Sequence, residues 1–400
     1  MAHPHAQIAR IARRAASKVK LLSSDIEAQR KEFSESGYYR TFSRSQLYDL
    51  PGFTKAIVEK AVREMEEQGY TFGKRQAGKN EVYCITVDQV RDIYKHRGIE
   101  TYKERFGDAF VIFIGNLKGG VTKTVTSVTV AHAFRVHPML IKENIRALVI
   151  DLDPQASGTM FLNHLYASKS NEYTAAQAML REPTEEEIGH FIFSSGIEGV
   201  DVMPASIEDA FLASDWEDLC KEHLPGQNPH TVLRDKIIDI VRDRYDFIFV
   251  DSGPHLDAFL NNSLAAADLL MTPIPPAQVD FHSTLKYLER LPELFQIQEE
   301  DGVEPRPLIN LGFMSKLIEK KPDHVTVHSM AKEVFGGDML DKWIPRLDAF
   351  ERCGESFDTV ISANPKHYPG SKEALKQAKE AAEEFAKSVF DRIEYIRDSE

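Results

Sequence analysis

The sequence predicts an α/β protein: a doubly wound, mainly parallel sheet built around a phosphate-binding loop, preceded by a long N-terminal helix and a winged helix-turn-helix module. Three observations carry this prediction. From Gly107 onward, apolar strand-like runs alternate with helix-like stretches, the pattern of a parallel sheet covered on both faces. The run Phe110–Ile114 leads into Lys118-Gly119-Gly120-Val121-Thr122-Lys123-Thr124 and then a helix-like stretch, the context a phosphate-binding loop requires. Upstream, one long helical periodicity gives way to short elements separated by turn residues.

Residues 1–36 place Ile8, Ile11, Ala15, Val19, Leu22, Ile26 and Phe33 at steps of mostly three and four, with Arg10, Arg13, Arg14, Lys18 and Lys20 between them. This spacing predicts an amphipathic helix with a narrow, heptad-like stripe. Such a stripe suits pairing with a second copy of the chain, and packing against its own chain stays open beside it. Over residues 37–106, Ser43 starts a helix through Leu50, Pro51-Gly52 turns the chain, and Thr54 caps a second helix with Ile57, Val58, Ala61, Val62 and Met65 on one face. Two strand-like runs, 70–72 and 82–85, are joined through Lys74, Arg75 and Lys79. Helix, turn, helix and basic hairpin is the order of a winged helix-turn-helix, whose second helix enters the major groove while the wing touches phosphate. Lys55, Lys60, Arg63, Lys74, Arg75 and Lys79 are therefore the DNA-binding candidates of this module, although winged helices also serve as protein-interaction modules. Within residues 107–400 the expected strands are 110–115, 147–152, 247–251, 269–273 and 308–313, and an alanine-rich helix closes the chain.

Composition narrows the function. The chain of 400 residues carries a formal charge of −13, but residues 1–106 hold 20 Lys or Arg against 14 Asp or Glu, whereas the remainder holds 29 against 48. A basic module on an acidic body points to an anionic partner for the module. Cys84, Cys220 and Cys353 lie too far apart for a disulfide framework or a metal-binding pair, which fits a reducing, cytoplasmic setting. No apolar run approaches the ~20 residues of a membrane span, and no signal peptide opens the chain. The histidines, including His255 and His282, share no ligand spacing.

The chemistry lies in the loop and two strand ends. Gly119 and Gly120 let the backbone fold around a polyphosphate, and the helix that follows aims free N–H groups at it. Lys123 reaches the β- and γ-phosphates, and the Thr124 hydroxyl is a Mg²⁺ ligand. The run 148–155 brings Asp151 and Asp153 to one strand end, and 247–254 brings Asp251 to another, where ligands of such sheets bind. Asp251 suits the metal, Asp153 the attacking water and Asp151 support of the Mg²⁺ shell, partly through water.

Read together, these motifs resemble the ParA-type plasmid partition ATPases, a deviant Walker-A (MinD/ParA) group, in the long form with an N-terminal DNA-binding domain. The residues that carry the resemblance are Lys118-Gly119-Gly120 with Lys123-Thr124, Asp151-Leu152-Asp153-Pro154-Gln155, the strand ending at Asp251, and Trp343-Ile344-Pro345-Arg346. The resemblance implies a P-loop ATPase domain over 107–400, with ATP or ADP held by the loop from Lys118 through Val125. It makes Lys118 the signature lysine, acting catalytically across a nucleotide-sandwich homodimer. It places Met314 and Pro345 at the adenine, and Thr122 stands where most of the family has glycine. It further implies ATP-dependent binding of nonspecific DNA through the body, with Arg346 and Arg352 as candidates, and hydrolysis stimulated by a centromere-binding partner. In the ADP state it implies operator binding that represses the chain's own operon, in a cytoplasmic, nucleoid-associated protein. The competing reading is a transcriptional repressor with a nucleotide-sensing but non-hydrolysing site, which has no use for Lys118 or Asp153. MinD-like membrane attachment fails because Asp391, Glu394, Asp398 and Glu400 oppose an anionic surface.

Overall fold

A computed structural model describes residues 6–34, 38–167, 172–304, 306 and 308–399. The first helix spans Ala6–Ser34. Its stripe residues Ile8, Ile11 and Val19 are each more than half exposed, at 67%, 56% and 56%. The N-terminal part of the stripe is thus left unpacked within one chain; the side chains of Leu22, Ile26 and Phe33 lie outside the described residues.

In the module that follows, β1 (Thr41–Phe42) pairs antiparallel with β4 (Ile85–Thr86). Between them lie a single 3-10 turn over Gln46–Asp49, the helix Lys55–Glu67, and the hairpin of β2 (Lys74–Ala77) with β3 (Asn80–Tyr83). Thr54 caps the helix as its sequence requires, accepting from the Ile57 N–H, and Val58, Ala61, Val62 and Met65 form its buried face. Two expectations need correction. The expected helix from Ser43 to Leu50 is only the 3-10 turn, because Leu47 alone among these four residues is buried and no longer apolar face exists to pack. The wing is built from the polar run Lys74–Ala77 and not from 70–72, since Phe72 turns into the core and the Tyr70 hydroxyl donates to Asp92 at 2.5 Å. A third helix, Val87–His96, carries a capping box formed by Thr86 and Gln89, and this S/T-x-x-E/Q signature was available to sequence reading.

The body is an eight-stranded sheet in the order β12-β11-β10-β5-β9-β6-β8-β7. Its strands are β5 (Phe110–Ile114), β6 (Ala147–Asp151), β7 (Phe193–Ser194), β8 (Val200–Met203), β9 (Phe247–Asp251), β10 (Leu269–Ile274), β11 (Ile309–Leu317) and β12 (Ile344–Pro345). All pairings are parallel except that of the edge strand β7 with β8. Strands β5, β6 and β9 are buried at every residue, as a sheet covered on both faces demands. Alternation sends Ile112 and Phe249 into one apolar layer with Phe134, Phe385 and Phe390, and Val111, Ile150 and Val250 into the other with Trp216 and Tyr287. The closing helix Lys372–Arg397 buries Leu375, Ala382, Phe385, Val389, Phe390 and Ile393, so its apolar face is already occupied. No helix among the described residues is long and apolar enough to cross a membrane.

Module and body share a fastened seam. The Arg40 guanidinium donates to the Val136 carbonyl (3.1 Å) and pairs with Glu383 (2.5 Å), and Arg91 donates to the Arg135 carbonyl (3.3 Å). Lys379 is buried among Tyr38, Tyr39 and the Ile361 carbonyl, with its ammonium 2.9 Å from the Tyr38 oxygen. Burial, with the neighbouring Arg40 charge, lowers the Lys379 pKa to about 7.

Candidate functional site

The site is built at the carboxyl ends of β5, β6 and β9, where the parallel strands deliver their last residues to one crevice. Asn116 sets the loop after β5. Its buried amide donates to the Pro273 carbonyl and the Thr284 hydroxyl, both at 2.9 Å, while its oxygen accepts from the Lys118 N–H at 2.9 Å. Sequence reading missed Asn116, although a polar residue between an apolar strand and a glycine loop is the signal that could have found it. The helix Lys123–Val136 then begins directly from the loop.

Thr122 precedes that helix with φ 76° and ψ 15°, a left-handed conformation that glycine adopts freely. Its hydroxyl caps no backbone group and lies 3.3 Å from the Thr126 hydroxyl. The non-glycine cost in this region is about 1–2 kcal/mol, partly offset by the ~0.4–1 kcal/mol by which glycine loosens the unfolded chain. Thr122→Gly is therefore expected to stabilise the nucleotide-free protein by up to about 1 kcal/mol, read from chemical unfolding. A clear loss of stability would mean that the Thr122–Thr126 contact outweighs the backbone.

A cavity of about 430 Å³ lies over the loop. The loop residues from Gly119 through Val125 line it, together with Asp153, Pro345 and Arg346. Phe161, Leu347 and Phe350 line an apolar portion, the kind of surface that takes a planar base. Met314 does not line it: it is buried in a separate cluster with Ile274, Phe281 and Val327. Phe161 and Phe350 are the aromatic residues that sequence reading missed. Arg346 borders this cavity, whereas Arg352 is exposed on the helix Asp348–Glu355 and does not line it.

Three carboxylates converge beside the loop. Asp151 and Asp251 stand opposite one another in the β6–β9 register, and both are fully buried. Asp151 accepts from the Thr159 N–H (2.7 Å), the Thr159 hydroxyl (2.8 Å) and the Asp153 N–H (3.1 Å), which makes it the anchor of the Asp153 turn instead of a free metal ligand. Among the described residues, neither oxygen of Asp251 has a partner within hydrogen-bond geometry. The Thr124 hydroxyl lies beside this carboxyl and opposes the rise in its pKa. Burial pushes both carboxyls up, and for Asp151 the Asp251 charge adds to the rise. Asp153 is half-buried, accepts from the Gln155 N–H at 2.9 Å and lines the cavity. Lys123 is buried, and burial lowers its pKa against the opposing pull of Asp251 and Asp153. Lys118 is different: its ammonium sits 3.0 Å from Asp280, partly exposed and outside the cavity.

A buried carboxylate with no hydrogen-bond partner costs several kcal/mol unless a cation meets it. Asp251 beside Thr124 therefore fits a divalent cation of the oxygen-preferring kind, and the loop and Lys123 fit the polyphosphate that such a cation accompanies. In the module, Lys55, Lys60, Arg63, Lys74, Arg75 and Lys79 are all exposed. Lys60 and Arg63 lie 3.6 and 3.9 Å from Glu64 and Glu67, so the helix face is largely self-compensated. On the hairpin, Lys74 lies 3.8 Å from Glu66 and stacks on Tyr83, which leaves Arg75 and Lys79 the least encumbered cations of the wing.

Residues 15–106 match the ParA helix turn helix domain family, and residues 109–299 match an AAA domain family. The chain is 56% identical over 392 residues, 98% of each sequence, to plasmid partition protein A of Escherichia coli. The chain belongs to the plasmid partition protein A family. It is a plasmid partition ATPase with a helix-turn-helix DNA-binding domain. Among solved structures, a partition protein superposes with a TM-score of 0.78 at 46% identity, covering 99% of both chains. Protein SopA of Escherichia coli (strain K12) is 28% identical over 227 residues, 55% of this chain and 54% of that one. Cobyrinic acid a,c-diamide synthase from Mycobacterium smegmatis, solved with ADP and magnesium, shares the fold at a TM-score of 0.52 and 20% identity, covering 72% of this chain and 96% of that one.

Proposed function

We propose that this partition ATPase uses ATP to form a homodimer that binds DNA without sequence preference, and that hydrolysis, stimulated by a centromere-binding partner, releases it. The observation that carries this reading is the unpartnered, fully buried carboxylate of Asp251 beside the phosphate loop. With Thr124 it would hold Mg²⁺, which when bound screens the phosphate charge. The loop N–H groups and Lys123 bind and orient the polyphosphate, and the apolar wall with Pro345 takes the base. Asp153, fixed by the Gln155 N–H and by Asp151 beneath it, orients the attacking water. Lys118, held on Asp280 outside its own cavity, is available to a second copy. The exposed stripe of Ile8, Ile11 and Val19 gives two copies a further surface on which to pair. Arg346 and Arg352 are the body's candidates for nonspecific DNA contact, and the wing with the helix Lys55–Glu67 binds the operator in the ADP state, repressing the chain's operon.

Gel shift with ATP, ADP or no nucleotide, on nonspecific and operator DNA, tests this directly. ATP is expected to favour nonspecific binding and ADP operator binding. Changing both Arg75 and Lys79 to Gln is expected to weaken operator binding and lower its salt dependence by about two phosphate contacts. Equal shifts in both nucleotides would sink the two-state switch, and absence of ATP turnover with DNA and partner would leave only a repressor.

A further inference from the structure

β11 is irregular where it passes the phosphate loop. Ser315 pairs with Ile344 and Leu317 with Pro345, so the register slips between them and Lys316 is the extra residue. Lys316 has φ 54°, the left-handed region, which a non-glycine residue occupies at a cost of order 1 kcal/mol. Bulges of this kind re-aim a side chain. Here the re-aimed ammonium crosses from β11 to the loop and donates to the Gly120 carbonyl at 2.9 Å.

Lys316 borders the same cavity as the loop, Pro345 and Arg346. Its partner there is a neutral carbonyl, which does not match a full positive charge. Among the lysines around the loop, Lys123 and Lys316 line the cavity while Lys118 is drawn off to Asp280. A strained backbone thus holds a point charge, met by a neutral carbonyl, at the rim of a polyphosphate-sized cavity.

We propose that Lys316 is a phosphate-contacting residue of this site, parked on the Gly120 carbonyl until a nucleoside diphosphate or triphosphate enters and then transferring its hydrogen bond to the phosphates. The proposal rests on the nucleotide-binding reading of the cavity. Lys316 acts within its own chain, so it serves ADP and ATP alike. That separates it from Lys118, whose contribution requires a second copy.

The test is equilibrium binding of fluorescent ADP and ATP analogues, with adenosine as competitor, to the full chain and to Lys316→Gln, Lys316→Arg and Lys316→Gly. Lys316→Gln is expected to weaken ADP and ATP by roughly tenfold each, the loss of one charge-assisted hydrogen bond. Lys316→Arg should restore most of that loss, and adenosine competition should not change. Lys316→Gly suits the left-handed backbone, so it should reproduce the nucleotide defect without loss of thermal stability. Wild-type ADP affinity in the Gln and Gly variants would overturn the proposal. An equal loss of adenosine would also overturn it, reducing Lys316 to a brace for the loop. Failure of the unaltered chain to bind ADP would instead refute the nucleotide reading beneath it.

Discussion

Replacing Asp251 with asparagine is expected to stabilise the nucleotide-free protein while abolishing its Mg²⁺-dependent hydrolysis of ATP. Both effects have one cause. The Asp251 carboxyl is fully buried, has no partner in hydrogen-bond geometry among the described residues and stands opposite Asp151 in the β6–β9 register. A neutral amide removes the charge but still leaves polar atoms to satisfy, so the net gain is about 1 kcal/mol. The loss of a cation-holding group should lower turnover ~100-fold or more. Asp251 and Asp151 have folded-state pKa values raised above those of the unfolded chain. The native state therefore holds extra protons between the ordinary carboxylate range and the raised values. The stability contributed by this pair is accordingly fully present below that range and is lost as pH rises through the raised pKa values, and Asp251→Asn should flatten this part of the pH profile. Denaturant unfolding across pH without nucleotide reads the stability, and phosphate release reads the turnover. A variant less stable than wild type at neutral pH, or one still responsive to Mg²⁺, would remove Asp251 from the metal site.

Two lysines of one loop are expected to fail in different ways. Lys123 is buried and lines the cavity, so Lys123→Gln should lose ADP and ATP binding together, by ~100-fold, as an uncompensated polyphosphate would. Lys118 rests on Asp280 outside the cavity, so Lys118→Gln should keep wild-type ADP affinity. What it should lose is the ATP-dependent dimer, and with it ~100-fold or more of the stimulated hydrolysis. Sedimentation in ATP and ADP, beside nucleotide titration, separates the two. If Lys118→Gln weakens ADP as Lys123→Gln does, Lys118 works within its own chain and the sandwich reading falls.

The central sheet was legible because β5, β6, β9 and β10 are predominantly apolar runs, buried at every residue. The strand-end acids were legible for a related reason, since Asp151 and Asp251 follow such runs directly and Asp153 stands two residues beyond the first. β7 and β12 were not, because two-residue strands carry no periodicity. The apolar portion of the cavity was only partly legible, for a geometrical reason. Phe161 and Phe350 come from helices far apart in sequence, while Met314 stands on a strand whose alternation sends it into the core. Lys316 was hidden by its bulge, which breaks the alternation by which side-chain direction is inferred.

The seam between module and body bears on how the chain can be taken apart. The helix that starts at the phosphate loop ends at Arg135 and Val136, and the carbonyls of both are met by arginines of the first hundred residues. Lys379 likewise takes its phenolic partners from Tyr38 and Tyr39. A fragment beginning at residue 107 would open that helix end to water, strip Glu383 of its cation and leave Lys379 facing a hole, so it would report on a damaged engine rather than an isolated one. The DNA-binding module is a structural wall of the ATPase, and the two halves are best studied by point substitution within the whole chain.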